Sequence, residues 1–87
     1  MPHLRFRAIE RDSLARCSGE LVEKLSALTG APAAHFTLER VQTEFILDGQ
    51  TVPGSTFVEL LWFDRGQQVQ DAAAQTITQV IQGELGP

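Results

Sequence analysis

Apolar and polar positions alternate from the start of the chain. Leu4, Phe6 and Ala8 fall on one side, His3, Arg5 and Arg7 on the other, which predicts a strand over His3–Ile9. The period then changes. Leu14, Cys17, Leu21, Leu25 and Leu28, widened by Val22, recur at helical spacing, with Asp12 or Ser13 the expected N-cap. Gly30 suits the left-handed position that ends a helix, and Pro32 follows it. Phe36–Leu47 reads as one long strand, or a strand with a bulge, of imperfect alternation. Asp48-Gly49 and Pro53-Gly54 mark the connection after it. Thr56–Phe63, "TFVELLWF", is the most hydrophobic strand, interrupted only by Glu59. Asp64 with Gln67 is placed to form a capping box for a second helix, which carries Val69, Ala73, Ile77, Val80 and Ile81 inward.

The predicted order is β-α-β-β-α in one domain spanning residues 1–87: an α+β fold of two layers, with helices on one face of a mixed sheet. A right-handed β-α-β crossover makes the first two strands parallel neighbours. The other face of the sheet would carry Arg5, Arg7 and Arg40 against Glu59 and Glu44, among large apolar groups. A freely solvated face is more uniformly polar than this. Buried unlike charges must be paired, so the pattern predicts a face covered by another subunit.

Composition narrows the function classes. Eighty-seven residues make one small domain, for which association would add stability. Seven basic against eleven acidic residues give a net charge of −4, which argues against nucleic-acid or anionic-membrane binding. No stretch approaches a membrane span and "MPHLRFR" lacks a secretory apolar run, so the expected compartment is the cytoplasm. A single cysteine excludes an intrachain disulfide, and Cys17 on the apolar stripe reads as a small buried hydrophobe. There is no phosphate-binding loop, dinucleotide fingerprint, nucleophile elbow or metal-ligand spacing. His3 and His35 stand alone, and neither a cofactor nor a metal is expected.

The N-terminus offers more specific chemistry. Proline at position 2 permits removal of Met1, which would leave a secondary amine at the head of the first strand. An α-amine titrates near 8 in a peptide, and apolar surroundings with guanidinium groups nearby lower that value. Arg5 and Arg7 share one face of this strand and could grip a carboxylate and stabilise an enolate. Enol–keto isomerisation of a small acid asks for that combination. A structural role is the competing explanation, since proline is ordinary at the first residue of a strand.

The same chain resembles the tautomerase superfamily, which contains 4-oxalocrotonate tautomerase and macrophage migration inhibitory factor. It resembles more closely a family of small bacterial proteins of unassigned activity within that superfamily. The resemblance rests on Pro2 opening a strand, "GAP" at 30–32, "TEF" at 43–45 and "FVELLWFDRGQQVQD" at 57–71. It implies a homotrimer, or a higher homo-oligomer such as the hexamer formed by shorter chains, built around a barrel of sheets, with sites at subunit boundaries and Pro2 as the catalytic residue. Helper arginines bind the substrate carboxylate in that superfamily. Arg11 is the counterpart of the one after the first strand, and Arg40, by a one-residue slip from Glu39, of the one in the second. A short terminal strand lent to a neighbour is expected to be missing or minimal. The expected activity is isomerisation of a small 2-keto or enol acid with Pro2 as general base. The alternative is a non-catalytic oligomeric domain that binds a small acid or another protein.

Overall fold

The alternation at the N-terminus forms β1 (His3–Arg7), the central strand of a three-stranded sheet. The structure, a computed structural model, describes residues 2–86. The N-terminal half folds on as α1 (Arg11–Thr29) and β2 (Thr37–Val41), then β3 (Phe45–Leu47) and β4 (Gln50–Val52). β5 (Phe57–Leu61) and α2 (Gln67–Leu85) complete it. β2 lies parallel to β1 on one side, and β5 runs antiparallel on the other. The two-layer architecture with helices on one face of a mixed sheet is therefore the expected one, with one added element.

That element is a hairpin. The stretch expected as one long strand is interrupted at residues 42–44, and β3 pairs with β4 as a separate two-stranded sheet. Asp48 and Gly49 both take positive φ, 53° and 73°, which suits a tight two-residue turn between twisted strands. Glu44 accordingly lies outside the main sheet.

The helix-facing side of β1 supplies the centre of the core. Leu4 and Phe6 are fully buried, in one cluster with Leu14, Leu21 and Leu25 of α1 and Ala73, Ile77 and Ile81 of α2. Each large side chain so placed contributes roughly 1.5–3 kcal/mol relative to exposure. Cys17 belongs to this cluster as expected. Burial, then the Glu84 carboxylate, pushes its thiol above the ordinary value, which favours the protonated thiol over the nucleophilic thiolate.

The helix ends differ from expectation at their starts. α1 begins at Arg11 after the extended residue Glu10, so neither Asp12 nor Ser13 is its N-cap. The early start follows from the corner before it, where Ala8 turns the chain at φ 59°. Two side chains brace that corner. Thr56 Oγ1 donates to the Ala8 carbonyl oxygen at 2.8 Å, and Arg40 Nε donates to that of Ile9 at 2.7 Å. Arg40 is thus directed at the corner instead of pairing on the open face. At α2 the capping box does not form: Asp64 Oδ1 accepts the Gly66 N–H, and Gln67 Nε2 donates to Asp71. At the C-terminus of α1, Gly30 adopts the expected left-handed conformation, and its N–H reaches the Ser26 carbonyl at 2.9 Å.

Candidate functional site

Strand register determines what the open face of the sheet presents. Thr37, His3 and Leu61 form one row across β2, β1 and β5; Glu39, Arg5 and Glu59 form the next; Val41, Arg7 and Phe57 form the last. Glutamates flank the central arginine on both sides. Glu39 accepts from His3 Nε2 at 2.9 Å and from Arg5 Nε at 3.3 Å, and Glu59 accepts from Arg7. The His3 hydrogen bond, followed by the charge of Arg5, holds the Glu39 carboxyl below its ordinary range. The Arg7 hydrogen bond does the same for Glu59. Apolar groups surround these pairs. Phe57 is 55% exposed, Leu61 43%, and Phe63 just beyond β5 is 77% exposed.

Pro2 is buried at the head of the central strand. Its carbonyl oxygen accepts the Thr37 N–H at 3.1 Å, and Thr37 Oγ1 lies 3.5 Å from the same oxygen. Thr37 Oγ1 also lies 2.5 Å from His3 Nδ1, so Pro2, Thr37, His3 and Glu39 form a continuous polar chain. Met1 lies outside the described residues, and with it the expected processing step.

The sequence-derived candidates divide between two ends of the sheet. Pro2 is at one end, whereas Arg11 stands past the other, beyond roughly 17 Å of β1 at 3.3 Å per residue. Arg40, opposite Phe6, reaches toward the same end as Arg11 through its bond to Ile9. Arg11 is exposed and, among the described residues, reaches only its neighbour Asp12, at 3.4 Å. Arg5 and Arg7 lie between the two ends, already engaged by carboxylates.

One cation was missed by sequence reasoning. Arg65 lies over the Trp62 ring at 5.2 Å, and its Nε is buried without a hydrogen-bond partner among the described residues. Because β5 is antiparallel to β1, with Leu61 opposite His3, Trp62 and Arg65 follow β5 at the Pro2 end. Antiparallel pairing of the first and last strands would have revealed this; capping explained "DRG" locally and concealed it.

An apolar cleft of about 590 Å³ opens on the opposite, helix-facing side of the sheet. Val58, Leu60 and Trp62 line it from β5 and the residues after it, Ile77, Ile81 and Leu85 from α2. Pro2 is not part of its wall.

A family model, "Domain of unknown function (DUF1904)", matches residues 1–86. The chain belongs to this family. A DUF1904 domain structure from Sebaldella termitidis ATCC 33386 is 35% identical, with TM-score 0.88 over 95% of this chain and 77% of that one. A protein of unknown function from Vibrio cholerae O1 biovar eltor str. N16961 is 40% identical, with TM-score 0.85 over 98% and 67%. The fold extends further. A macrophage migration inhibitory factor-like protein from Entamoeba histolytica is 16% identical, with TM-score 0.70 over 95% and 75%. A fused 4-OT symmetric trimer is 15% identical, with TM-score 0.72 over 99% and 74%. Pt0534 inactivated by 2-oxo-3-pentynoate is 11% identical, with TM-score 0.70 over 98% and 75%. No curated protein matches. This DUF1904 chain thus has the tautomerase/MIF-like superfamily fold. No helix among its described residues is long and apolar enough to cross a membrane.

Proposed function

We propose that the processed DUF1904 chain is a proline-dependent tautomerase that interconverts the enol and keto forms of a small 2-keto acid. The observation that carries this reading is the placement of Pro2. It is buried at the head of the central strand with its carbonyl fixed by Thr37, so removal of Met1 would leave a secondary amine at one defined position. The neutral amine takes the proton of the enol hydroxyl, and the ammonium so formed returns a proton to the adjacent carbon. Atoms balance without a cofactor. One neighbour of the same fold is described as inactivated by 2-oxo-3-pentynoate, whose name is that of a 2-oxo acid anion.

The working unit in this reading is a homotrimer, the assembly named for another fold neighbour. Exposed Phe57 and Leu61 beside internally paired charges suit a face that a second subunit covers. Pro2 and Arg11 lie too far apart within one protomer to act on one small acid. Arg11 therefore serves a neighbour's Pro2, while Arg65 is the cation at the Pro2 end of its own chain. The soluble cytoplasmic setting suggested by the sequence fits such an enzyme. A non-catalytic oligomeric module is the second reading. It is favoured by the engagement of Arg5, Arg7 and Arg40 with protein oxygens, which leaves no free basic pair on the strands.

Intact mass establishes whether Met1 is absent, and enol-to-keto turnover of phenylpyruvate then compares the wild type with Pro2→Ala. The expected loss is about 10²–10⁴-fold, the range supplied by a positioned general base. Equal turnover in both, or Met1 retained in every molecule expressed at native level, would remove Pro2 from the chemistry.

A further inference from the structure

One hydroxyl stands between two acceptors beside Pro2. Thr37 Oγ1 is 2.5 Å from His3 Nδ1 and 3.5 Å from the Pro2 carbonyl oxygen. A hydroxyl has a single proton, so it can donate to only one of them at a time. The other side of the imidazole fixes the choice. His3 Nε2 is 2.9 Å from Glu39 Oε1, and an ionised carboxylate only accepts, so Nε2 carries a hydrogen throughout. Glu39 stays ionised because His3 and Arg5 hold its carboxyl low.

The protonation of Nδ1 therefore sets the direction of the hydroxyl. With Nδ1 protonated, the imidazolium donates to Thr37 Oγ1, and the hydroxyl proton turns to the Pro2 oxygen. With Nδ1 bare, the hydroxyl donates to the ring instead, and the Pro2 oxygen keeps only the backbone N–H of Thr37 at 3.1 Å. The groups facing His3 from the sheet are Arg5 on β1, Thr37 and Glu39 on β2, and the apolar Leu61 on β5. Both helices lie on the other side.

We propose that Thr37 is a positioning residue that transmits the charge state of His3 to the Pro2 carbonyl, and through it to the adjacent amine. Its consequence for turnover rests on the reading of Pro2 as general base; the hydroxyl switch itself does not. An imidazolium nearby, and a carbonyl that accepts a second hydrogen bond, both withdraw electron density from the Pro2 amine and disfavour its ammonium form. Protonated His3 therefore keeps the base neutral at lower pH than it would otherwise be.

The switch is tested on the whole chain carrying a ¹³C label at the Pro2 carbonyl, titrated by NMR together with the His3 ring nitrogens. In the wild type, the carbonyl resonance is expected to move with the His3 titration. In Thr37→Val, which keeps the shape and removes the hydroxyl, most of that movement is lost, and in Thr37→Ser it is retained. An equal carbonyl response in wild type and Thr37→Val overturns the proposal, whatever the activity. Turnover is then read on the same proteins. Thr37→Val is expected to move the acid limb of kcat/KM to higher pH, and Thr37→Ser to restore it. An unmoved limb in a turning-over Thr37→Val enzyme overturns transmission to the amine. A processed wild type that shows the carbonyl coupling without turnover refutes the general-base reading and leaves the hydroxyl switch standing.

Discussion

Arg40 Nε donates to the carbonyl oxygen of Ile9 across 2.7 Å, tying the second strand to the corner between β1 and α1. Ala8, just before it, holds a positive φ of 59°, a conformation that costs a residue with a Cβ about 1–2 kcal/mol. The arginine thus secures a turn that the local sequence does not favour. Arg40→Met keeps most of the stem and removes the donor. It is expected to cost about 1.5–3 kcal/mol, the range for a hydrogen bond to a charged group, measured by urea denaturation. Unchanged stability with a large loss of kcat/KM would instead make Arg40 a carboxylate grip.

Acid should loosen the open face of the sheet. The carboxyls of Glu39 and Glu59 are both held below the ordinary glutamate value of 4.5, by His3 and Arg5 and by Arg7 respectively. A depressed folded value means that the stabilisation is complete above the unfolded value and disappears as pH falls through the folded one. The contribution of these two carboxyls should therefore be complete near neutrality, with thermal midpoints declining below about pH 4.5. Glu39→Gln and Glu59→Gln should each lower the neutral-pH midpoint and make that decline shallower. An unchanged slope in both variants would show that these pairs do not couple to folding.

Much of this fold was legible because it follows from side-chain period. Leu4 and Phe6 alternate, the α1 stripe repeats every three or four residues, and Gly30 terminates the helix as its lack of a Cβ allows. The details that escaped depend on tertiary partners. Arg40 is expected among the open-face charges, yet its register partner is the helix-facing Phe6. It therefore lies on the other side of β2 from Glu39, and its side chain reaches the Ile9 carbonyl at the corner. Asp12, Ser13 and the Asp64–Gln67 pair have capping chemistry, but the chain enters both helices at other residues. At the candidate site, Pro2 was visible as a residue type. The Thr37–His3–Glu39 chain beside it was not, because strand pairing joins residues more than thirty positions apart.

The hairpin carries a packing constraint at Gly54. A Cβ there would stand 2.1 Å from Cδ2 of Phe45, well inside contact distance. Gly54→Ala must displace the Phe45 ring from the base of β3. Two-stranded hairpins are only marginally stable on their own, so the effect should concentrate locally. Backbone amides of 45–52 are expected to exchange at least tenfold faster, with the midpoint of the main sheet nearly unchanged. Exchange as slow as in the wild type would mean that the ring is free to move aside.

The last prediction concerns the apolar groups of the open face. Leu61 is 43% exposed and sits in the row of His3 and Thr37, at the Pro2 end, while Phe57 lies in the row of Arg7 at the other. If a second subunit covers this face, each of these side chains loses its remaining exposure on assembly. Replacing Leu61 by Gln keeps the length and removes apolar surface without adding charge beside His3. Loss of roughly 1.4 kcal/mol at each interface weakens association tenfold, and a closed trimer repeats the loss at each of its contacts. Sedimentation of the wild type should give a trimer, and Leu61→Gln with Phe57→Gln should shift it toward monomer at micromolar concentration. Circular dichroism should show the helices intact, since both residues face away from them. A wild type that sediments as a monomer would leave Phe57 and Leu61 in water and remove the shared site between Pro2 and a neighbour's Arg11.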